Sequence, residues 1–287
     1  MKLPHILARR FIAAETLEEA LPVVKQLNAN GMRAALDLLG EYVSSREIAD
    51  AARDAYINVV HTIAAERERS GMDANVSIKL SMMGQKIDEA FCLDNLRLLL
   101  GIAREKDVFI RLDMEGSDIT ESTLGIFEAV YPEFSDHVGI VLQAYLRRTQ
   151  RDVERMCDLK ARVRICKGAY KEPASIAYQD MSEIRDRFIE YTKLLLVNTP
   201  NLGVATHDDV LITGTKTFVK EIGISNDEFE FQMLYGIRPR TQMQLVDSGY
   251  HMRVYTPYGT EWLPYFTRRL RERKENVWFV LKNLVRN

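Results

Sequence analysis

The chain has 287 residues, of which 46% are hydrophobic, and a formal net charge of -2. This length suits one large α/β domain, and the near-neutral charge gives no overall basic balance for binding nucleic acid. The three cysteines form no CxxC pair, and no segment reaches the roughly 18 uncharged residues of a membrane-spanning helix. We therefore expect free thiols in a cytoplasmic protein whose contact with a membrane is at most peripheral.

Short apolar runs that end on, or lead into, a polar residue recur along the whole chain. The first four cover residues 33–39 with Asp37, 76–81 with Lys79, 108–114 with Asp113 and 138–143 with Gln143. The next four cover residues 162–166 with Arg164 and then Lys167, 204–206 leading into His207, 229–232 with Gln232, and 252–255 with Tyr255. In a (β/α)8 barrel, catalytic groups lie at the carboxyl ends of several strands. These runs therefore predict barrel strands with an active site at one mouth.

Helical periodicity fills the intervals between these runs. We predict helices over residues 17–30, 45–68, 87–105, 122–130, 149–159, 181–197, 208–222, 240–248 and 261–286. An open, doubly wound sheet would give the same alternation, but eight units with polar strand ends favour closure. No Pro/Gly/Ser linker interrupts the series, so we expect residues 1–287 to form one (β/α)8 (TIM) barrel domain.

Two adjacent cations, Arg268 and Arg269, lie on the predicted helix after the eighth strand. Neighbouring helical residues point about 100° apart, so both can face one barrel mouth and bind a carboxylate through charge-assisted hydrogen bonds. Tyr265 precedes Arg268 by three residues and shares its face. A solvated basic surface is the alternative, since Arg271 and Arg273 follow.

Lys79 interrupts an apolar strand between Ile78 and Leu80. Side chains alternate along a strand, so Lys79 points away from these two neighbours and into the barrel interior. A buried lysine needs an anion or a lowered pKa. Lys79 is therefore either an anion-binding residue or one half of a structural ion pair with Asp113.

The segment 162–173 has an unusual strand exit. Arg164 lies within the strand, and Lys167-Gly168-Ala169 makes a tight exit that lets backbone approach a flat or phosphorylated ligand. The GxxxxGK[ST] and GxGxxG orders are absent. The histidines show no metal-ligand spacing, so we expect no metal, and His207 alone is more typical of a hydrogen-bonded strand-end residue than of a base.

Motifs in order along nearly the whole chain resemble the proline dehydrogenase family, flavin-dependent enzymes that also form the first catalytic module of bifunctional proline utilisation proteins. The motifs are SIKLSMMG, FIRLDMEGS, VGIVLQAYLRRT, RVRICKGAYKEP, ATHD, FEFQMLYGIR, RVYTPYG and PYFTRRL. The resemblance implies a distorted barrel whose final helix contributes to the site. It also implies non-covalent FAD and oxidation of L-proline to Δ1-pyrroline-5-carboxylate.

Matched motif by motif, the resemblance assigns roles to individual residues. It implies that Lys79, Arg268 and Arg269 hold the proline carboxylate, with Tyr255 and Tyr265 closing over the ring. It implies catalytic roles for two more residues, Asp113 in the network that orders Lys79 and Arg164 near the flavin N5.

The resemblance also implies a set of FAD contacts at the strand ends. They are Met114, Gln143, Arg164, Lys167, Gly168, Ala169, Thr206 and His207, with Gln232 a weaker candidate and Tyr170 shaping the pocket. A planar flavin would then lie across the strand ends, and the cations would fix the substrate carboxylate so that one C–H points at N5.

The resemblance implies a quinone as electron acceptor, and hence peripheral contact at the inner face of the membrane. The last helix would pack on the barrel exterior or against a second copy in a homo-oligomer. Two alternatives remain: a flavin barrel of the methylenetetrahydrofolate reductase type, and a barrel kept for flavin binding or protein interaction after loss of catalysis. The compact cationic trio argues against the first, and the intact Lys79, Asp113 and Arg164 against the second.

Overall fold

Parallel strands close into a barrel in the computed structural model, which describes residues 10–263. Each strand pairs with the next along the chain, and the last pairs with the first, which confirms the predicted closure. The strands are β1 (Arg33–Leu38), β2 (Ala74–Ile78), β3 (Ile110–Leu112), β4 (Val138–Gln143), β5 (Arg162–Cys166), β6 (Leu202–Ala205), β7 (Phe229–Leu234) and β8 (Met252–Tyr258).

Helices cover the outside of the barrel, one between each pair of strands and one before β1. They are α1 (Leu17–Ala29), α2 (Arg46–Ser70), α3 (Glu89–Glu105), α4 (Thr120–Phe134), α5 (Thr149–Leu159), α6 (Met181–Asn198), α7 (Asp209–Ile222) and α8 (Pro239–Asp247). Short 3-10 helices lie at Leu80–Met83, Ser117–Ile119 and Asn226–Glu228. In this part of the chain, no helix is long and apolar enough to span a bilayer. The predicted helix over 261–286 falls almost entirely outside the described residues.

Side chains that accept backbone N–H groups fix where several helices begin. Thr16, Ser45, Asp88, Asp180 and Asp208 each cap the first turn of the helix that follows. Such caps satisfy amides that have no partner within the helix. Except for Thr16, which precedes the first strand, these caps hold strand-to-helix loops at the barrel mouth at their helical ends.

Several strand ends differ from the prediction. β8 runs three residues past Tyr255, because its last residues pair with β1 after the pairing with β7 has stopped at Leu234–Tyr255. On the side that β7 leaves open, the Pro257 carbonyl accepts the Ala13 backbone N–H at 2.8 Å, and Ala14 forms a bridge with Tyr258. Pro257 is tolerated at this edge because it contributes a carbonyl there and no N–H is needed. β3 is shorter than predicted and ends at Leu112, so Asp113 follows the strand; likewise Lys79 follows β2.

The barrel wall separates an apolar layer from a polar interior. On β5, Val163 and Ile165 are buried in the hydrophobic core between strands and helices. Arg164, between them, points inward and bonds to Ser77 on β2 and Gln232 on β7. Alternation along the strands therefore lines the interior with hydrogen-bonding side chains.

Candidate active site

Arg164, Asp113 and Tyr255 meet at the barrel mouth. Arg164 Nη1 donates to Asp113 Oδ1 at 2.8 Å, and the Tyr255 hydroxyl donates to Asp113 Oδ2 at 2.7 Å. The Arg164 guanidinium carbon lies 5.4 Å from the centroid of the Tyr255 ring. The structure therefore brings together three residues that the sequence placed on three different strands.

Polar partners below this group hold Arg164 in one orientation. Its Nη2 donates to Ser77 Oγ at 3.1 Å, and its Nε donates to Gln232 Oε1. Gln232 Nε2 donates to Glu230 Oε1, which also accepts from Arg253 Nε, each at 2.7 Å. Gln232 was a weaker candidate for FAD contact, yet its amide is bonded on both sides within this chain of side chains.

Sequence reasoning missed Ser77 and Glu230 as supports of the site. A signal was present, because Ser77 and Glu230 each lie two residues from a predicted interior residue, Lys79 and Gln232. Residues two apart on a strand share a face. Two polar residues that are two positions apart on a strand therefore predict hydrogen-bonded side chains inside the barrel as well as a polar strand end.

Lys79 forms its ion pair with Asp37, not with Asp113 as the structural alternative held. Lys79 Nζ lies 2.6 Å from Asp37 Oδ1, and the two side chains are 8% and 0% exposed. Adjacent strands explain the pairing, since Asp37 on β1 is in register with Ser77 on β2, two residues before Lys79. Both oxygens of Asp113 are already used by other partners.

The charges around Lys79 and Tyr255 fix their protonation states at neutral pH. Burial lowers the pKa of Lys79, but the charges of Asp37 and Asp113 outweigh this effect and raise the pKa above its ordinary value. Burial and the charge of Asp113 raise the pKa of Tyr255 well above its ordinary value. Lys79 is therefore a cation and Tyr255 a neutral hydrogen-bond donor.

The predicted FAD contacts lie on four adjacent strand ends, from β3 to β6. Gln143, at the end of β4, donates from Nε2 to the Met114 carbonyl at 3.2 Å. Its Oε1 is buried and accepts no hydrogen bond from the described residues. A buried acceptor without a donor is costly, so a ligand with an N–H group would satisfy it.

The exit of β5 depends on a glycine. Gly168 has φ +116°, and a Cβ there would lie 2.1 Å from the Tyr145 ring. Only glycine takes this backbone so close to an aromatic face. Lys167 Nζ lies 3.0 Å from Asp208 Oδ2, while Ala169 is exposed and Tyr170 half-buried. The loop thus presents backbone and a small residue at the mouth.

Thr206 and His207 follow β6 and are held by hydrogen bonds. His207 Nε2 accepts the Leu234 backbone N–H at 2.9 Å, which assigns the ring proton of the neutral form to Nδ1. Thr206 Oγ1 accepts the Asp208 N–H at 3.1 Å. His207 is therefore a hydrogen-bonded strand-end residue, as its isolated position indicated.

Three predicted substrate residues, Tyr265, Arg268 and Arg269, lie outside the described residues. Their roles and that of the final helix remain predictions. The two described substrate candidates are Tyr255 on β8 and Lys79 just after β2. They lie on either side of Asp37 on β1, next to the strand ends that carry the cofactor candidates.

Comparison with known proteins decides the family. A model of the proline dehydrogenase family matches residues 20–282. The chain belongs to the proline dehydrogenase family. Membership confirms the predicted resemblance and makes this an enzyme of the oxidoreductase class.

Two curated proline dehydrogenases are similar over nearly their whole length. Proline dehydrogenase 1 of Bacillus subtilis is 42% identical over 279 residues, which cover 97% of this chain and 91% of that protein. Proline dehydrogenase of Deinococcus radiodurans is 41% identical over 286 residues, covering 98% and 90%.

A solved structure shows the same fold. Proline utilization A (PutA) of Bdellovibrio bacteriovorus, crystallised after inactivation by N-propargylglycine, aligns with a TM-score of 0.86 and 29% identity. The alignment covers 93% of this chain, which spans 32% of that longer protein.

Proposed function

We propose that the chain oxidises L-proline to Δ1-pyrroline-5-carboxylate with non-covalently bound FAD and passes the electrons to a quinone. The observation that carries the proposal is the juxtaposition at one mouth of two ion pairs, Lys79–Asp37 and Arg164–Asp113, with a Gln143 acceptor that no residue within 10–263 satisfies. The similar proteins of Bacillus subtilis and Deinococcus radiodurans are proline dehydrogenases, which supports proline as the substrate.

The strand ends fit a flavin. Gln143 Oε1 offers a buried acceptor to a ring N–H, and Gly168 leaves room for a flat ligand at the exit of β5. The residues that would hold the cofactor are Met114, Gln143, Arg164, Lys167, Gly168, Ala169, Thr206 and His207. Bound FAD would supply a hydride acceptor at N5.

Charge balance indicates that binding of the substrate carboxylate needs cations beyond the described residues. Asp37 offsets Lys79, and Asp113 offsets Arg164, so these two pairs have no net charge. A carboxylate adds one negative charge to a buried site, which is costly without further cations. Arg268 and Arg269 would supply them, and Tyr265 would close over the ring with Tyr255.

The protein's part in the reaction is to bind and orient the substrate. Hydride would leave C5 of proline for bound FAD, and the adjacent nitrogen, in its neutral amine form, would lose its proton to water as the C=N bond forms. Tyr255 keeps its proton at neutral pH because its pKa is well above the ordinary value. Tyr255 is therefore not the base, and its hydrogen bond to Asp113 would hold its ring in place over the substrate.

The organisation of the whole chain is part of the same proposal. Residues 1–287 would form one catalytic barrel domain, since the family model matches most of that length. Delivery of electrons to a quinone would require peripheral contact with the inner face of the membrane by a cytoplasmic protein. The final helix would pack on the barrel or form a homo-oligomer contact.

Anaerobic absorbance spectra test this proposal. Purified protein should show an oxidised-flavin spectrum that bleaches on addition of L-proline. Cyclopentanecarboxylate has the same ring size and carboxylate without the nitrogen, so it should leave the spectrum oxidised. A colourless protein that cannot be reconstituted with FAD, or flavin that L-proline does not reduce, would contradict the proposal.

A further inference from the structure

Asp37 was predicted only as a polar residue of the first strand, yet it is the direct partner of a proposed substrate-binding cation. Its side chain is fully buried, and its Oδ1 lies 2.6 Å from Lys79 Nζ. Asp37 lies within β1, a strand that pairs with β2 on one side and β8 on the other. A short side chain on a paired strand has little freedom, whereas the lysine stem is long and flexible.

We propose that Asp37 is a positioning residue, which keeps Lys79 charged and directs its ammonium group to the substrate carboxylate. The proposal rests on the proposed function, because it assumes that Lys79 binds that carboxylate. An ammonium group has three donors. Asp37 Oδ1 takes one of them and leaves others for a ligand at the mouth.

The other groups around this pair are occupied or neutral. Glu115 accepts from the Ser81 backbone N–H and hydroxyl at 3.2 and 2.7 Å. Two further charged neighbours, Asp113 and Arg164, are paired with each other. The remaining titratable neighbours are three tyrosines that stay neutral because burial raises their pKa values: Tyr56, Tyr255 and Tyr258. Among the residues described, Asp37 is therefore the carboxylate in direct contact with the lysine.

Burial gives this contact its importance. Desolvation is the largest influence on the pKa of Lys79 and acts to lower it, and the charge of Asp37 is the largest influence in the opposite direction. Without Asp37, the pKa of Lys79 should fall. Lys79 would then lose its proton as the pH rises, and with it the attraction for a carboxylate.

The test is the pH dependence of carboxylate binding to the flavin-loaded full chain. Tetrahydro-2-furoate is a suitable probe, because its carboxylate stays ionised above pH 6 and its ring oxygen replaces the titrating nitrogen. Calorimetric titration between pH 7 and 9.5 gives its dissociation constant. We expect no alkaline step from Lys79 in the wild type. Asp37→Asn should bind more weakly and lose up to about tenfold in affinity per pH unit above the lowered pKa.

Three variants separate positioning from a merely structural role. Asp37→Glu keeps the charge and should restore the wild-type profile, while Lys79→Met should bind weakly with no step due to a lysine. Glu66→Gln is the matched control: it removes a carboxylate 2.6 Å from Lys25 Nζ on the outer helices and should keep the wild-type profile.

The outcomes are decisive in each direction. An Asp37→Asn profile parallel to the wild type overturns the proposal, as does a wild-type alkaline step that disappears in Lys79→Met. The second comparison does not need Asp37→Asn to fold. A wild type that fails to bind the probe also overturns it, whereas flavin bleaching by L-proline tests the proposed function separately.

Discussion

Arg164 and Asp113 form an ion pair across the mouth of the barrel, with 2.8 Å between Arg164 Nη1 and Asp113 Oδ1. Their strands, β5 and β3, are separated by β4, so the pair crosses the interior and does not link neighbours. Asp113 also accepts from Tyr255 on β8. One carboxylate thus connects the arc of cofactor candidates to the substrate side of the mouth.

Asp113→Asn should lower both activity and stability. A neutral amide cannot offset the Arg164 charge, and breaking a buried ion pair on one side costs about 3 kcal/mol. Tyr255→Phe is the matched comparison, because it removes one hydroxyl bond of about 1 kcal/mol and leaves the ion pair intact. Steady-state kinetics and thermal unfolding measure both effects. Equal, wild-type-like values in both variants would refute the central role of Asp113.

Arg268→Met and Arg269→Met should each raise the KM for L-proline about tenfold or more. Each removes a charge-assisted hydrogen bond of roughly 1.5–3 kcal/mol to the carboxylate. Lys274→Met, six and five positions beyond the two arginines and hence on the opposite face of the predicted helix, serves as a control and should keep the wild-type KM. Unchanged kinetics in the first two variants would favour the solvated basic surface.

Gly168→Ala should weaken FAD binding, because a Cβ cannot be placed at φ +116° against the Tyr145 ring without moving the loop. FAD titration of the deflavinated protein measures the dissociation constant. Gly101→Ala, within α3, is the control: apart from its chain neighbours and the backbone of its own helix, no described atom lies within 4 Å of its new Cβ, so FAD affinity should not change. Wild-type FAD affinity in Gly168→Ala would show that the β5 exit does not contact the cofactor.

The decrease in the free energy of unfolding at acid pH should depend on Glu230. Burial alone would raise its pKa, but the charges of Arg253 and Arg33 lower the pKa to about 2. Because the pKa is lower in the folded state, ionised Glu230 stabilises the fold at pH values above its ordinary pKa near 4.5. This stabilisation is lost as the pH falls toward 2. Of the resulting ~3 kcal/mol, about 2 kcal/mol should disappear between pH 6 and pH 3.

Urea unfolding at these two pH values measures the effect. Glu230→Gln should be less stable than the wild type at pH 6, because buried Arg253 loses its 2.7 Å ion pair and keeps only the longer one, at 3.4 Å from Asp73. The difference in unfolding free energy should shrink by about 2 kcal/mol at pH 3. Glu133→Gln, at an exposed position on α4, should keep the wild-type slope. If the free energy of unfolding changed equally with pH in Glu230→Gln and in the wild type, the lowered pKa of Glu230 would be contradicted.

The alternation of apolar runs and helical periodicity was sufficient to predict the barrel, because each strand buries one face under helices and points polar residues inward. Strand ends were less predictable. Pro257 argues locally against a strand, yet β8 continues through it since β1 extends further than β7 at that edge. Local sequence carries no information on which neighbour ends first.

Site residues were predicted where single positions break an apolar pattern, as Lys79 and Arg164 do. Their partners depend on register across the barrel, which the sequence does not specify. Lys79 pairs with Asp37 because β1 lies beside β2 at that height, whereas Asp113 is held by Arg164 and Tyr255 from two other strands. Ion pairing among several candidate carboxylates therefore required the three-dimensional structure.

Isotope tracing of the oxidised carbon tests the central claim most directly. L-proline carrying two deuterium atoms at C5 is mixed anaerobically with the flavin-loaded protein, and the deuterium content of the product is measured by mass spectrometry. We expect reduced flavin and a product that keeps one deuterium, whereas the product from proline labelled at C2 should keep its single deuterium. Loss of the C2 deuterium, or product formed without flavin reduction, would contradict it.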